Sequence, residues 1–163
     1  MATMADNTQT SAHMHPWKIS DLVLFPAFAA GGVLEWFLPL HIPFPPAPMR
    51  WALGAALAVL GVGLIIWSKL VLDAAGQPSL PGTPTTRLVT TAPFSFSRNP
   101  NYLGALTIGL GGALLVNAPW LVVAGPVAGA ILQVWMIRPE EAYLRSRFGA
   151  EYEDYCRHVR RWL

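Results

Sequence analysis

Two stretches of this 163-residue chain hold the side chains that could do chemistry. The first is Asp73–Tyr102, DAAGQPSLPGTPTTRLVTTAPFSFSRNPNY, with Arg98 near its end. The second is Arg138–Leu163, RPEEAYLRSRFGAEYEDYCRHVRRWL, which opens on Pro139 and the pair Glu140-Glu141. Carboxylates there would bind ribose hydroxyls or an ammonium group. They would serve equally as helix-start residues, since Pro suits a first helical turn and acids suit its positive end. Arg98 offers a planar fork of donors for a carboxylate or phosphate. It suits a positive anchor at a membrane edge just as well. His13, His15, His41 and His158 have no mutual ligand spacing. The single Cys156 excludes an internal disulfide framework and a Cys-based zinc site, so no metal centre is expected.

Composition decides what must hold these residues. The hydrophobic set makes up 53% of the chain and charged residues only 12%, about half of the roughly 25% usual for a soluble domain. Mean hydropathy is +0.41. A disordered chain is excluded, because it needs low hydrophobicity and high charge. A soluble globule would lack the charge to cover such a core. The net charge of +2 is too small to suggest nucleic acid.

The charges are also placed unevenly. Between Arg98 and Arg138 lie 39 residues without one, and a bilayer core takes ~20 helical residues. This stretch reads as two spans, 102–116 and 120–137, joined by the tight turn Asn117-Ala118-Pro119. Another uncharged run places a span over 50–72, and a further one covers 19–38 with Glu35 at its interfacial end. The expected fold is all-α: a polytopic membrane bundle of four transmembrane helices plus a C-terminal amphipathic helix at the cytoplasmic face. Residues 1–16 read as a disordered tail and 17–163 as one membrane domain, with a loop over 73–101 and a helical segment over 138–163. Ala27-Phe28-Ala29 resembles a signal-peptidase site. Asp21 and the lack of a basic start argue against cleavage there.

Lys and Arg set the orientation. Arg50 alone falls on the side of the 117–119 turn; Lys18, Lys69, Arg87, Arg98 and the six Arg from Arg138 onward lie at the other face. Both termini and the 73–101 loop are therefore expected in the cytoplasm. Six of the Trp residues, from Trp17 to Trp135, fall near span ends, as interfacial rings do. A Pro-, Gly- and Ser-rich loop of that length is a linker or a functional element, and Leu88-Val89 and Phe94–Phe96 could pin it to the interface. Leu144, Phe148, Tyr152, Tyr155 and Val159 form an apolar stripe, with Gly149 bending or breaking its helix. Gly125 and Gly129 have the small-xxx-small spacing of packed membrane helices.

Four pieces in order carry a resemblance: Leu88-Val-Thr-Thr-Ala-Pro-Phe94, Arg98-Asn-Pro-Asn-Tyr-Leu-Gly104, Glu140-Glu141, and Phe148-Gly-x-x-Tyr152-x-x-Tyr155. Together they resemble the isoprenylcysteine carboxyl methyltransferase and phospholipid methyltransferase superfamily over about residues 70–163. The resemblance implies a membrane methyltransferase domain that uses S-adenosylmethionine at the cytoplasmic face. It implies cofactor contacts at Arg87, Leu88, Val89, Phe94, Asn99, Pro100, Asn101 and Tyr102. One carboxylate of the Glu140-Glu141 pair, best placed at Glu140, would complete the site. Arg98 matches the leading Arg of its motif, and Arg138 lies near the family's substrate-side Arg but offset; both are assigned to catalysis. Asn99 stands where many members have His, and Ala92 where they have Gly. Tyr102 and Phe94 could pack on adenine or face the sulfonium.

The implied acceptor is a lipophilic small molecule, a lipid or a prenylated group, entering from the bilayer. A compact, Ala-, Gly- and Pro-rich chain fits a prokaryotic inner membrane. Two other readings stand beside this one. An NADPH-dependent membrane reductase of related fold is usually much longer. A non-catalytic accessory protein would show lost cofactor contacts.

Overall fold

The computed structural model describes residues 20–41, 45–77 and 85–163. Among these the fold is all-helical, with no strand. The helices are α1 (Asp21–Phe37), α2 (Ala47–Ala74), α3 (Pro100–Val116), α4 (Pro119–Leu132), α5 (Arg138–Phe148) and α6 (Ala150–His158). A five-residue π turn, Gln133–Ile137, joins α4 to α5, so Pro119–Phe148 runs as one helical stretch of 30 residues. That stretch and the 28-residue α2 are long and apolar enough to cross a membrane. Most of either is uncovered within the molecule; Val59 of α2 is 71% exposed and Trp135 of the second stretch 65%. A soluble core helix would have these side chains covered, and an exposed apolar surface of this extent fits a membrane protein.

Short residues set the packing. α2 and α3 meet along Gly54 and Gly61 on one side and Gly104 and Gly111 on the other. A Cβ added to Gly61 would lie 2.5 Å from the Gly104 carbonyl oxygen, and one on Gly104 would lie 2.7 Å from that of Gly61. Gly54 and Gly111 repeat this reciprocal contact seven residues along, at 2.8 and 2.6 Å. The two backbones therefore touch with no side chain between them, the close approach that glycine permits in membrane helices. In the Gly125/Gly129 pair, Gly129 is buried against Leu106 of α3, whereas Gly125 meets nothing within 4 Å.

α1 lies on α4, with Gly31 against Leu121 and Ala124, while the Phe28 ring reaches Gly109 of α3. Glu35 ties the far ends of these helices together. Its carboxylate accepts the N–H of Leu40 at 2.9 Å and that of Trp120, in the first turn of α4, at 3.4 Å. Such N–H groups have no intrahelical partner. The turn from α3 into α4 is made by Asn117 in the left-handed conformation (φ 54°), with Pro119 opening α4. Asn117 is the only described non-glycine residue with positive φ, so Ala92 occupies its turn without the backbone angle that glycine supplies.

Candidate functional site

At the α3 N-terminus, four elements converge: the 85–99 segment, the first turn of α3, the start of α5, and α6 with the chain that follows it. Glu141 is the centre of a charged cluster and is 4% exposed. Both of its oxygens accept from the Arg161 fork, Nε and one terminal nitrogen each at 2.8 Å. Arg98 reaches the same carboxylate at 3.2 Å. Arg98 also touches the Cys156 sulfur. The Glu141 bond and charge hold the Arg161 guanidinium above its ordinary pKa.

The π turn explains why Glu141 is the one turned inward. Ala124, Ala128 and Leu132 form the buried face of α4. An unbroken α-helix would continue that face through Met136 to position 140. Pro139 has no N–H for the Trp135 carbonyl and crowds it. The π turn inserts one extra residue there, so that Met136 and Ile137 are both buried and the face goes on from Ile137 to Glu141. Glu140 is half-buried, and its charge acts on the Tyr102 phenol.

The chain after α6 folds back as a strap. Arg98 N–H donates to the Arg160 carbonyl at 3.0 Å, and the Asn99 amide donates to that of Arg161 at 2.9 Å. Trp162 donates to Gln133 in the π turn at 3.0 Å. Asn99 is buried, and its own N–H donates to the Ser97 hydroxyl. Its side chain therefore holds the strap.

The apolar stripe of the C-terminal segment is buried rather than presented to a leaflet. Tyr152, Tyr155 and Val159 form a cluster, with Leu88, Leu144, Phe148 and Cys156 packed on it. Burial raises the Tyr155 pKa, keeping its hydroxyl protonated as the donor of a 2.6 Å bond to the Phe94 carbonyl. Gly149 breaks the segment into α5 and α6 at φ 53° and ψ −122°, a conformation that side chains resist.

The structure thus gathers Leu88, Phe94, Arg98, Asn99, Tyr102 and Glu141 at one end of the bundle, with the Glu140 charge acting on Tyr102. Pro100 is fully buried as the first residue of α3, and Val89 is half-buried. Arg87 and Arg138 are exposed. Arg138, in the first turn of α5, makes none of the bonds to Glu141 described above. Two buried polar atoms here have no hydrogen-bond partner among the described residues, Arg98 Nε and Asn101 Oδ1. Arg161, Gln133 and Trp162 join the site without a mark in the sequence, because they read there as generic basic or interfacial residues.

Long apolar helices with a polar, arginine-rich cluster at one end are the features of a membrane protein. The family model described as phospholipid methyltransferase matches residues 49–151, from the first turn of α2 to the first turn of α6. The chain belongs to this family, within the isoprenylcysteine and phospholipid methyltransferase superfamily. No curated protein and no solved structure matches it.

Proposed function

We propose that this chain is an S-adenosylmethionine-dependent methyltransferase acting on a lipophilic acceptor at the cytoplasmic membrane face. The observation that carries the reading is the family match, whose limits take in Glu141, Arg98 and Tyr102, while Arg161 of the same cluster follows just beyond them. In this reading α1 to α4 all span the bilayer as parts of one domain. α1 and α3 have 17 residues each, about 25 Å of helix, and bilayers absorb such a shortfall by local thinning. The Lys and Arg distribution supports a cytoplasmic side for both termini, the 73–101 loop and the C-terminal helices.

The residues present suit the cofactor. Its amino-acid end, ribose and adenine offer both donors and acceptors, and Arg98 Nε and Asn101 Oδ1 are a buried donor and acceptor without partners among the described residues. The segment 87–89, Phe94, Asn99–Tyr102 and the two glutamates would hold it. When bound, it supplies an electrophilic methyl group. The chain's part is to fix the ligands in line, which is chiefly a positioning task. Tyr102 and Phe94 provide aromatic faces for adenine or a sulfonium charge. Glu140 provides a carboxylate whose charge acts on Tyr102. Arg98 and Arg161 hold Glu141 as a rigid wall. The acceptor's tail stays in the lipid, and its head reaches the cluster laterally.

Calorimetric titration of the detergent-purified protein with S-adenosylhomocysteine, with NADPH in parallel, tests this. Saturable binding of S-adenosylhomocysteine alone is expected, followed by transfer of a labelled methyl group into a lipid extract. Binding of NADPH alone would replace the reading with a reductase. Binding of neither to folded protein would leave an accessory role.

A further inference from the structure

The segment entering the site has no regular secondary structure, yet its backbone is fastened. Thr85, Thr86 and Arg87 have no helix or strand neighbour to receive their N–H groups. Side chains from two separate elements receive all three. Thr85 N–H donates to the Tyr143 hydroxyl of α5 at 3.2 Å. Thr86 and Arg87 N–H converge on one oxygen, Oε1 of Gln77, at 2.9 and 3.1 Å. The other end of the same carboxamide donates to Thr86 Oγ1 at 2.9 Å and to the Ala75 carbonyl at 3.3 Å. Gln77 is 5% exposed and lies three residues past the end of α2.

Thr85 is half-buried and Thr86 and Arg87 are exposed, but the Gln77 carboxamide is buried; a buried polar group needs its partners, so its bonds fix where this backbone runs. Two successive N–H groups aimed at one point form a small electropositive concavity, and Gln77 Oε1 fills it. Immediately beyond, Leu88 enters the Tyr152–Tyr155–Val159 cluster. Gln77 thus links the interlocked α2–α3 pair to the C-terminal helices through the strand of chain that passes the site.

We propose that Gln77 is a positioning residue for the methyl-donor site: it sets the backbone at Thr86–Arg87 and so the placement of Leu88–Val89. This rests on the methyltransferase reading above. Tyr143 is its weaker companion, acting one residue earlier. Gln77→Leu keeps the bulk and deprives both N–H groups of their acceptor. Gln77→Glu keeps an oxygen for both, and the Thr86 hydroxyl can rotate to donate to it.

The test uses the full chain in detergent, with S-adenosylhomocysteine as probe and hydrogen exchange as a ligand-free readout. Gln77→Leu is expected to raise the Kd about tenfold, as befits two lost acceptors of ordinary strength. The unliganded melting temperature should stay near wild type, because the helix seam is untouched. Exchange should accelerate at Thr86–Leu88 and not in α2 or α3. Gln77→Glu should restore both affinity and protection to within about threefold, and Tyr143→Phe should give a smaller Kd increase. Wild-type affinity in Gln77→Leu, no rescue by Gln77→Glu, or unprotected Thr86 and Arg87 amides in the wild type would each overturn the assignment. If Gln77→Leu does not fold, the rescue variant and Tyr143→Phe decide it, and a Tyr143→Phe protein identical to wild type counts against it. Failure of the wild type to bind the probe at all overturns the methyl-donor reading, and this assignment with it. Failure of the variant comparison alone overturns only the role of Gln77.

Discussion

Replacing Arg161 by Ala tests whether the strap is held by its ion pair. The substitution removes two bonds of 2.8 Å to a carboxylate whose side chain is 6% exposed. Charge-assisted bonds contribute about 1.5–3 kcal/mol each when sheltered. Arg161 itself is 31% exposed, so water and salt screen part of this. Arg98, at 3.2 Å, continues to neutralise Glu141, so the loss stays below the ~3–5 kcal/mol of a stranded buried charge. The expected loss is about 2 kcal/mol, or roughly 4–8 °C in Tm for a chain of this size. Arg161→Lys loses the fork but not the charge and should fall about halfway. Removing Arg98 as well should cost more than the two single losses added, because Glu141 is then alone. The assay is thermal unfolding in detergent, followed by tryptophan fluorescence. An Arg161→Ala protein melting within about 1 °C of wild type, or a strictly additive double variant, would show that the strap is held by something else.

Three other outcomes are expected. Gly61→Ala should destabilise by at least ~1–3 kcal/mol, because its Cβ would stand 2.5 Å from the Gly104 oxygen; Gly63→Ala, with nothing within 4 Å, should be neutral or slightly stabilising in the same melting assay. Gly149→Ala should cost about 1–3 kcal/mol through its φ of 53°, and faster proteolysis between α5 and α6 would report it. Glu140→Ala should abolish and Tyr102→Ala weaken binding of S-adenosylhomocysteine in calorimetry, with Tm retained; unchanged affinity in both would remove this pair from the proposed site.

The helices were legible because a bilayer tolerates few charges, so uncharged runs mark them to within a few residues. The loop could also be singled out, since polar, Pro-rich chain close to apolar helices is unusual. Its fastening was not legible: Gln77 and Thr86 are nine residues apart with no periodic signal between them. The inward glutamate was obscured for a different reason. Helical periodicity carries no sign of the π turn before Pro139, after which Glu141 is buried and Glu140 only half-buried. Arg161 looked like one more cytoplasmic cation, because orientation rules count charges without asking what they touch. The α2–α3 seam was in principle readable as Gly54/Gly61 and Gly104/Gly111. Its period is seven, and the four-residue spacing at Gly125/Gly129 drew the eye elsewhere.

That seam acts as a ruler. Each glycine on one helix meets a carbonyl of the other, and the next glycine lies seven residues away. Sliding α3 along α2 by one residue would press a larger side chain against backbone. The next register that again pairs glycine with glycine is about 10 Å distant. The helix that begins with Pro100, Asn101 and Tyr102 is therefore indexed to α2 at one position. Any motion that admits a lipid must swing elements about this pair rather than shift its two halves past each other.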